Sequence, residues 1–303
     1  MSERVLGVGY TIRSDDDFDF KKLTPSLHEA DRLGVDFVEL PLYALDVIAG
    51  GRIIASKLRS VKNIAADRPY RYTVHGPLGV NLMDIAERLP LHKSVMQVSL
   101  EAAAELGAVH YVLHGGFIDA QRQNEAASLH AQQRDILSEF GPIAESLGIT
   151  IAVENLFTYD KARTTALPSQ LARDIEVINH PNIRACLDFS HGFINSTLHS
   201  ADFVTEAKAL APFAKHLHIH DSFGRLQNLP TYTRSERVAF GLGDLHLPIG
   251  WGAIQWDELM TSLNFHTGVI LNLELMGAYW SELDACVASL RRLETLVRER
   301  PAS

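Results

Sequence analysis

The sequence is poor in cysteine and has no long hydrophobic run. It contains two cysteines, Cys186 and Cys286, whose separation predicts neither a disulfide framework nor a cysteine-based zinc site. No segment approaches the roughly 20 apolar residues of a membrane-spanning helix, and the first residues, M-S-E-R-V-L-G, lack the apolar stretch of a signal peptide. We therefore expect a protein of the reducing cytoplasm that has no membrane partner.

Positive charge is also scarce. The chain carries 28 lysines and arginines against 37 aspartates and glutamates, which gives a net charge of -9. Such a balance provides no general attraction to nucleic acid or to an anionic membrane. Close to the N-terminus, Asp15, Asp16, Asp17 and Asp19 form an acidic run that would repel a phosphate backbone. Nucleic acid is therefore not expected as a partner.

Short apolar runs alternate with longer amphipathic segments along the whole chain, and we count eight such pairs. Near-continuous apolar strands that alternate with helices are typical of a closed parallel (β/α)8 barrel, with an open doubly wound sheet as the main competitor. No linker or low-complexity segment interrupts the pattern, so we predict an α/β fold with a single TIM-barrel domain over residues 1-303. The predicted strands are Leu6–Thr11, Phe37–Leu40, Tyr72–His75, Tyr111–His114, Thr150–Glu154, Arg184–Asp188, His216–His220 and Val269–Glu274.

Histidines and acids recur at the ends of these strands or shortly after them. Taken alone, each has an ordinary explanation, because a strand-end acid often caps the next helix and a buried histidine is often a core residue. Together, they would surround one small volume at the carboxyl ends of the barrel strands, where carboxylates repel one another unless cations lie between them. Nitrogen and carboxylate ligands without thiolate suit Zn²⁺ or Mn²⁺. The candidate ligands for one to three such ions are His75, His114, Glu154, Asp188, His191, His218, Asp244, His246 and Glu274.

Six motifs resemble those of the xylose isomerase-like barrel superfamily, which includes sugar and sugar-phosphate isomerases and epimerases and the endonuclease IV class of DNA-repair enzymes. They are H-G-P-L-G-V-N-L, V-L-H-G-G, V-E-N, C-L-D-F-S-H-G, L-H-I-H-D-S and G-D-L-H-L-P-I-G-W-G, and the resemblance extends from about Val5 to Leu296. It implies an isomerase-type metal site formed by Glu154, Asp188, His218 and Glu274.

The resemblance also implies a fuller, endonuclease IV-type set of ligands for three ions. In that set, His75 and His114 bind one ion together with Glu154, which bridges to the central site. A further ion is held by His191, Asp244 and His246. One departure weakens a role in DNA repair, because Glu154 is followed by N-L-F-T-Y-D where endonuclease IV relatives have N-T-A-G-Q-G.

The first functional hypothesis is a metal-dependent isomerase or epimerase that acts on a sugar or sugar phosphate. The ion would bind a carbonyl and an adjacent hydroxyl group and stabilise an enediolate, while Glu154 and Glu274 transfer the proton. By the resemblance, Arg225 lies near an arginine that contacts substrate, although a solvated loop arginine is an equally good interpretation. Glu39, at the end of the second predicted strand, is another polar candidate at the rim, with a helix-end salt bridge as its alternative role. The substrate-binding candidates are His191, Arg225, Trp251, Phe157 and Glu39.

The alternative hypothesis is an endonuclease IV-like phosphoesterase or AP endonuclease with three zinc ions. The complete ligand set favours it, since a Glu154 that bridges two cations would be a poor proton carrier. The missing DNA-specific features leave small phosphoesters as substrates and favour the isomerase or epimerase. A binding barrel without turnover is a third alternative, without positive support. The apolar stretch L-P-L-Y-A-L-D-V-I after the second strand would cover the pocket or meet a second subunit of a homo-oligomer.

Overall fold

The computed structural model describes residues 4–12, 22–158 and 162–299. The acidic run formed by Asp15, Asp16, Asp17 and Asp19 lies outside these described residues.

Eight parallel strands form a closed barrel in which each strand pairs with its neighbours in the sequence and the first pairs with the last. This closure excludes the open doubly wound sheet and confirms the predicted (β/α)8 barrel. All eight predicted strands are present, with ends shifted by no more than a few residues. The strands are β1 Val5–Thr11, β2 Phe37–Pro41, β3 Arg71–His75, β4 Ala108–His114, β5 Thr150–Glu154, β6 Ile183–Asp188, β7 Ala214–Ile219 and β8 Val269–Leu273.

Helices connect the strands and cover the outside of the barrel, as the amphipathic segments predict. Their bounds are α1 Leu23–Leu33, α2 Ala55–Ala65, α3 Leu89–Glu105, α4 Ala126–Ser146, α5 Pro168–Ile178, α6 Phe189–Leu198, α7 Phe203–Leu210, α8 Arg234–Phe240, α9 Trp256–Ser262 and α10 Leu283–Glu299. No helix in the described part of the chain is long and apolar enough to cross a membrane.

Two of these helices, α6 and α8, lie in the connections after β6 and β7 and are additional to the eight strand–helix pairs of the predicted pattern. The carboxylate of Asp188 accepts a hydrogen bond from the backbone N–H of His191 at 2.7 Å, so the strand-end acid caps α6 directly. A capping box between Thr233 and Glu236 starts α8, and Gly241 ends it in the left-handed conformation with φ of 66°. Both helices therefore begin and end at recognisable local signals within the long connections.

The side chains of each strand alternate between two environments. On β7, Leu217 and Ile219 face the helices and join the main hydrophobic core, whereas the intervening His216 and His218 contact Glu39 of β2 across the barrel interior. Inside the barrel, a separate cluster of small apolar side chains consists of Val112, Ala152 and Cys186. Each of these residues lies two positions before a strand-end residue, so alternation along the strands places all three in one inner layer. Polar and ionisable side chains lie next to this cluster, towards the carboxyl ends of the strands.

Candidate metal centre

Most candidate ligands lie at the same end of the barrel. The last residues of β3, β4, β5 and β6 are His75, His114, Glu154 and Asp188. His218 is the penultimate residue of β7. Glu274 directly follows β8. Because the carboxyl ends of barrel strands open at one mouth, residues far apart in sequence meet there.

His218 lies at the centre of this group. Its Nδ1 atom is 3.4 Å from Glu154 Oε1, 3.5 Å from Glu274 Oε2 and 3.9 Å from Asp188 Oδ2. All four side chains are buried. Three carboxylates therefore converge on one imidazole nitrogen.

Glu154 contacts histidines through both of its carboxylate oxygens. Oε2 lies 3.3 Å from His75 Nε2 and 3.6 Å from His114 Nε2. Oε1, besides its contact with His218, lies 3.1 Å from His191 Nδ1. The carboxylate thus stands between two groups of imidazoles, where a bridging ligand would have to be.

A third group forms around Asp244, in the connection after β7. Its Oδ2 atom is 2.7 Å from His246 Nε2 and 3.4 Å from His191 Nε2. Paired backbone hydrogen bonds between Asp221 and Leu247, at 2.9 and 3.1 Å, attach this connection to the end of β7. The loop is therefore held where Asp244 and His246 face the barrel mouth.

The residues present fit a divalent metal ion. His218 Nδ1 is buried and makes no hydrogen bond with any residue that the structure describes, although carboxylate oxygens surround it. Such a group is costly to bury unless a proton or a cation compensates for it. Imidazole nitrogens and carboxylate oxygens are the ligands that Zn²⁺ and Mn²⁺ accept. Burial raises the pKa of the nearby Cys186 thiol, so a thiolate ligand is not expected.

The carboxylates and His114 have the protonation states that bind metals. Burial by itself would raise the pKa of Glu154, but His218, His191 and His75 outweigh it and hold that pKa well below the usual range. Burial would likewise raise the pKa of Asp188, which His191 and His220 lower instead. Burial lowers the pKa of His114 to about 4, so this imidazole is neutral at pH 7. Charged carboxylates and a neutral imidazole are the forms that bind metals. Burial would lower the pKa of His191, His218 and His246, but the neighbouring acidic groups outweigh it and raise these pKa values in the metal-free cluster.

Glu39 does not lie at the rim where the sequence places it as a substrate-binding candidate. Strand β2 continues to Pro41, so Glu39 is two residues below the strand end and is completely buried. Its carboxylate lies between two imidazoles, 3.1 Å from His216 Nε2 and 3.2 Å from His218 Nε2. It is therefore a partner of the histidines, and it lies below the rim at which the sequence places it.

A cavity of about 430 Å³ opens beside the centre. Glu274 and His246 line it from the side of the cluster, and Thr11 and Tyr43 form other walls. Arg234, the first residue of α8, also lines this cavity, and its Nη1 atom donates a hydrogen bond to Tyr279 Oη at 2.8 Å. The sequence gives no signal for Arg234, because only the path of the long connection brings α8 over the barrel mouth.

The side chain of Arg225, unlike that of Arg234, does not line this cavity. Its guanidinium group donates to the carbonyl oxygen of Phe240 at 2.8 Å and lies over the ring of Phe223, with 5.7 Å to the ring centroid. Trp251 is half-exposed and contacts the ring of Tyr279 edge-on, at 5.5 Å between centroids. The structure thus places both Arg225 and Trp251 outside the residues that line the cavity.

Phe157 lies close to the centre on its other side. Its ring centroid is 5.0 Å from that of His191, and the side chain is buried. Together with His114 and Arg163 it lines a second cavity of about 300 Å³. Phe157 is thus positioned to exclude water from the imidazoles on this side.

His220 belongs to the cluster although it is absent from the predicted ligand set. It follows β7 and is completely buried, with Nε2 2.9 Å from Asp188 Oδ2 and Nδ1 3.6 Å from Asp244 Oδ1. The signal for it was present in the sequence, since the alternation that directs His218 inward also directs His220 inward.

With the fold and the cluster described, comparison with known proteins identifies the class. A family model described as xylose isomerase-like TIM barrel matches residues 27–296. The chain therefore belongs to the xylose isomerase-like TIM barrel family, and the resemblance seen in the motifs is confirmed.

Individual relatives are more distant. An uncharacterized protein of Methanocaldococcus jannaschii is 26% identical over 292 residues, which cover 95% of this chain and 98% of that protein. A solved structure of a D-tagatose 3-epimerase-like protein superposes with a TM-score of 0.70 and 18% identity, over 97% of this chain and 99% of that chain. The structure of an IolI protein with a bound zinc atom superposes with a TM-score of 0.67 and 16% identity, over 98% and 100% of the two chains. At these identities the structural likeness establishes the fold alone.

Proposed function

We propose that this protein is a divalent-metal-dependent isomerase or epimerase of a sugar or sugar phosphate. The observation that carries the proposal is the position of two glutamates around a single nitrogen. Glu154 and Glu274 lie 3.4 and 3.5 Å from His218 Nδ1, and Glu274 also lines the cavity of about 430 Å³. A small substrate in that cavity would meet one carboxylate directly and the other across the ion.

Four side chains would hold the ion, namely Glu154, Asp188, His218 and Glu274. A divalent ion there would supply a Lewis acid that polarises the substrate carbonyl and stabilises the negative charge that develops on its oxygen. Arg234 at the cavity wall and His246 beside Glu274 would orient the substrate oxygens. Burial of the carboxylates keeps the surroundings poor in water, which strengthens each electrostatic contact.

The two glutamates would then move the proton. One carboxylate removes the proton from the carbon beside the carbonyl, and the protonated form of the other returns a proton to the opposite face of that carbon or to the neighbouring carbon. The first outcome is epimerisation. The second is isomerisation, in which the hydroxyl proton on the deprotonated carbon also moves to the carbonyl oxygen. Glu274 borders the cavity and is the better candidate for the residue that exchanges its proton with solvent.

The structural neighbours support the same class. The D-tagatose 3-epimerase-like protein shares the barrel over nearly the whole chain, and the IolI structure contains zinc within the same fold. We extend both properties, sugar chemistry and zinc binding, to this chain as part of the proposal.

A phosphoester hydrolase is the second candidate, and one observation favours it. Both oxygens of Glu154 face imidazoles of separate groups, His75 and His114 on one side and His191 and His218 on the other. If every group held an ion, Glu154 would bridge two cations and would transfer protons poorly. Three ions would instead suit the hydrolysis of a small phosphate ester.

The test is solvent deuterium exchange followed by NMR across a panel of ketoses and ketose phosphates, with metal content measured on the same samples. We expect deuterium at the carbon beside the carbonyl for at least one substrate. Glu154→Gln and Glu274→Gln should each lower turnover by about 10²- to 10⁴-fold. The matched control is Glu139→Gln, an exposed side chain of α4 that pairs with Lys93 and should leave turnover unchanged.

Metal content separates the two roles of each glutamate. A variant that keeps its ion and loses exchange has lost proton transfer, whereas a variant that loses the ion has lost a ligand. Release of phosphate from small esters without any deuterium exchange, together with three ions per chain, would overturn the isomerase proposal in favour of the hydrolase. A cytoplasmic location, a single domain over the whole chain and a homo-oligomeric state are retained as further parts of the proposal.

A further inference from the structure

We propose that His220 is the fourth ligand of a divalent-cation site that is closed to substrate. The other ligands of this site are His191, Asp244 and His246. The family resemblance implies those three, and this chain places a further imidazole beside them. The inference depends on metal binding at the barrel mouth, and it would leave the ion of this site without a part in a three-ion hydrolysis.

The geometry around Asp244 supports four ligands. Three imidazole nitrogens face its carboxylate, at 2.7 Å for His246 Nε2, 3.4 Å for His191 Nε2 and 3.6 Å for His220 Nδ1. One ligand atom from each of the four side chains lies within 4.8 Å of all the others. From these positions, small side-chain rotations would bring the four ligand atoms to the bonding distance of one ion, which is about 2.0 to 2.2 Å for nitrogen and oxygen.

The second observation is an unsatisfied nitrogen on His220. The ring is completely buried, and its Nε2 atom lies 2.9 Å from Asp188 Oδ2, so Nε2 carries the proton and donates it. Nδ1 then presents a lone pair. It makes no hydrogen bond within the described part of the chain and points at Asp244 Oδ1. Two electron-rich atoms that face each other in a buried site call for a cation between them.

A second proton on Nδ1 is the competing explanation. The distance of 3.6 Å to Asp244 Oδ1 exceeds that of a charge-assisted hydrogen bond, which is about 2.7 to 2.9 Å. An ion between the two atoms fits this wider gap better. The rings of His220 and His246 are stacked 3.9 Å apart and nearly parallel, at 4°. One ring must therefore turn when the ion binds, and His246 has room to do so because 27% of its side chain is exposed.

Three imidazoles and one carboxylate complete a tetrahedral shell for Zn²⁺. Closed tetrahedral zinc sites are structural, whereas catalytic sites keep a position for water or substrate. The ion held by His220 would therefore fix the loop that carries Asp244. Through the Nε2–H of His220 it would also orient Asp188 at the central group. Substrate would meet only the ion at the central group.

The test uses the full chain, stripped of metal and titrated with Co²⁺, whose visible absorption is intense for four-coordinate ions and weak for six-coordinate ions. We expect an intense component in the unaltered protein. His220→Gln keeps an amide donor for Asp188 and removes the ring lone pair, so it should weaken one binding step by at least about tenfold and remove the intense component. His130→Gln is the matched control, since its imidazole is bonded to Asp174 instead.

Two results would overturn the proposal. One is the same Co²⁺ spectrum and affinity in His220→Gln as in the unaltered protein. The other, which does not depend on any variant folding, is a crystal structure of the Zn²⁺-soaked protein in which His220 Nδ1 is not about 2.1 Å from an ion. Failure of the deuterium-exchange experiment alone would leave both of these measurements unaffected, so the two proposals fail separately.

Discussion

Glu39 Oε1 and His218 Nε2 lie 3.2 Å apart inside the barrel, and both side chains are completely buried. Burial by itself would raise the pKa of Glu39, but His218 and His216 lower it well below the usual range, so the side chain is a carboxylate. The carboxylate faces Nε2 of His218 and favours a proton on that nitrogen, which would leave the lone pair on Nδ1, where the acids of the central group converge.

Further hydrogen bonds hold Glu39 in place. Thr11 and Thr73 donate their hydroxyl groups to it at 2.9 and 3.2 Å, and Asn272 donates its amide at 3.2 Å. These donors come from β1, β3 and β8, which pack around β2 inside the barrel. The carboxylate is thus fixed independently of any ion, and it prepares the imidazole for binding.

We therefore expect Glu39→Gln to weaken metal binding by about 10- to 100-fold, because the neutral amide no longer selects the required tautomer of His218. Isothermal titration of the metal-free protein measures this affinity. Glu206→Gln is the control, since Glu206 is similarly buried but accepts the backbone N–H of Ser169 at 2.8 Å on the outer side of the barrel. Equal metal affinity in a folded Glu39→Gln variant would refute the positioning role.

Arg234 should matter for substrates that carry an anionic group. Its guanidinium lines the cavity beside Glu274, where it can form a charge-assisted hydrogen bond with a phosphate. Such bonds contribute about 1.5 to 3 kcal/mol, so Arg234→Ala should raise KM for a phosphorylated substrate by roughly 10- to 100-fold. The effect on an unphosphorylated sugar should be smaller. Steady-state kinetics on both kinds of substrate measure the difference.

The control for this prediction is Arg225→Ala, because Arg225 bonds to the carbonyl of Phe240 instead of lining the cavity. We expect nearly unchanged kinetics in that variant. A larger rise in KM for Arg225→Ala than for Arg234→Ala would reverse the assignment and restore the substrate contact that the family resemblance implies for Arg225.

A pH-dependent contribution to stability comes from Asp84, in the connection between β3 and α3. Its carboxylate lies 2.5 Å from Arg88 Nη2 and 2.8 Å from His92 Nε2. Partial burial would raise the pKa of Asp84, but the bonds to Arg88 and His92 outweigh it and lower the pKa to about 2. Because the pKa is depressed in the folded state, the stabilisation is fully present above about pH 4. It is lost as the pH falls from about 4 to about 2.

Asp84→Asn should therefore lower the free energy of unfolding at pH 7 by about 1 kcal/mol, a value reduced by solvent screening around Arg88. The difference from the unaltered protein should shrink as the pH approaches 3. Urea unfolding at a series of pH values measures it, with the exposed Asp135→Asn on α4 as the control. A difference that stays constant from pH 7 to pH 3 would contradict the linkage.

The features that sequence predicted well are those that depend on neighbouring residues. Alternation along a strand is a local property of the extended backbone, so the eight strands and the inward direction of His216 and His218 follow from the apolar pattern. The strand-end position of Glu154 and Asp188 is equally local. Parallel strands in a closed barrel then bring these ends together whatever their separation along the chain.

The depth of a side chain within the barrel, and the side chains that it contacts there, were decided only by the tertiary structure. Glu39 was placed at the rim because the end of β2 cannot be located from a short apolar run, and its contact with His218 depends on the curvature that closes the barrel. Arg234 reaches the cavity because of the path of a long connection, which no residue pattern specifies. The sequence by itself determined which side chains point into the barrel. Closure of the sheet and the course of its loops determined which of them meet, since contacts across a barrel depend on strand register and tilt, beyond the reach of local periodicity.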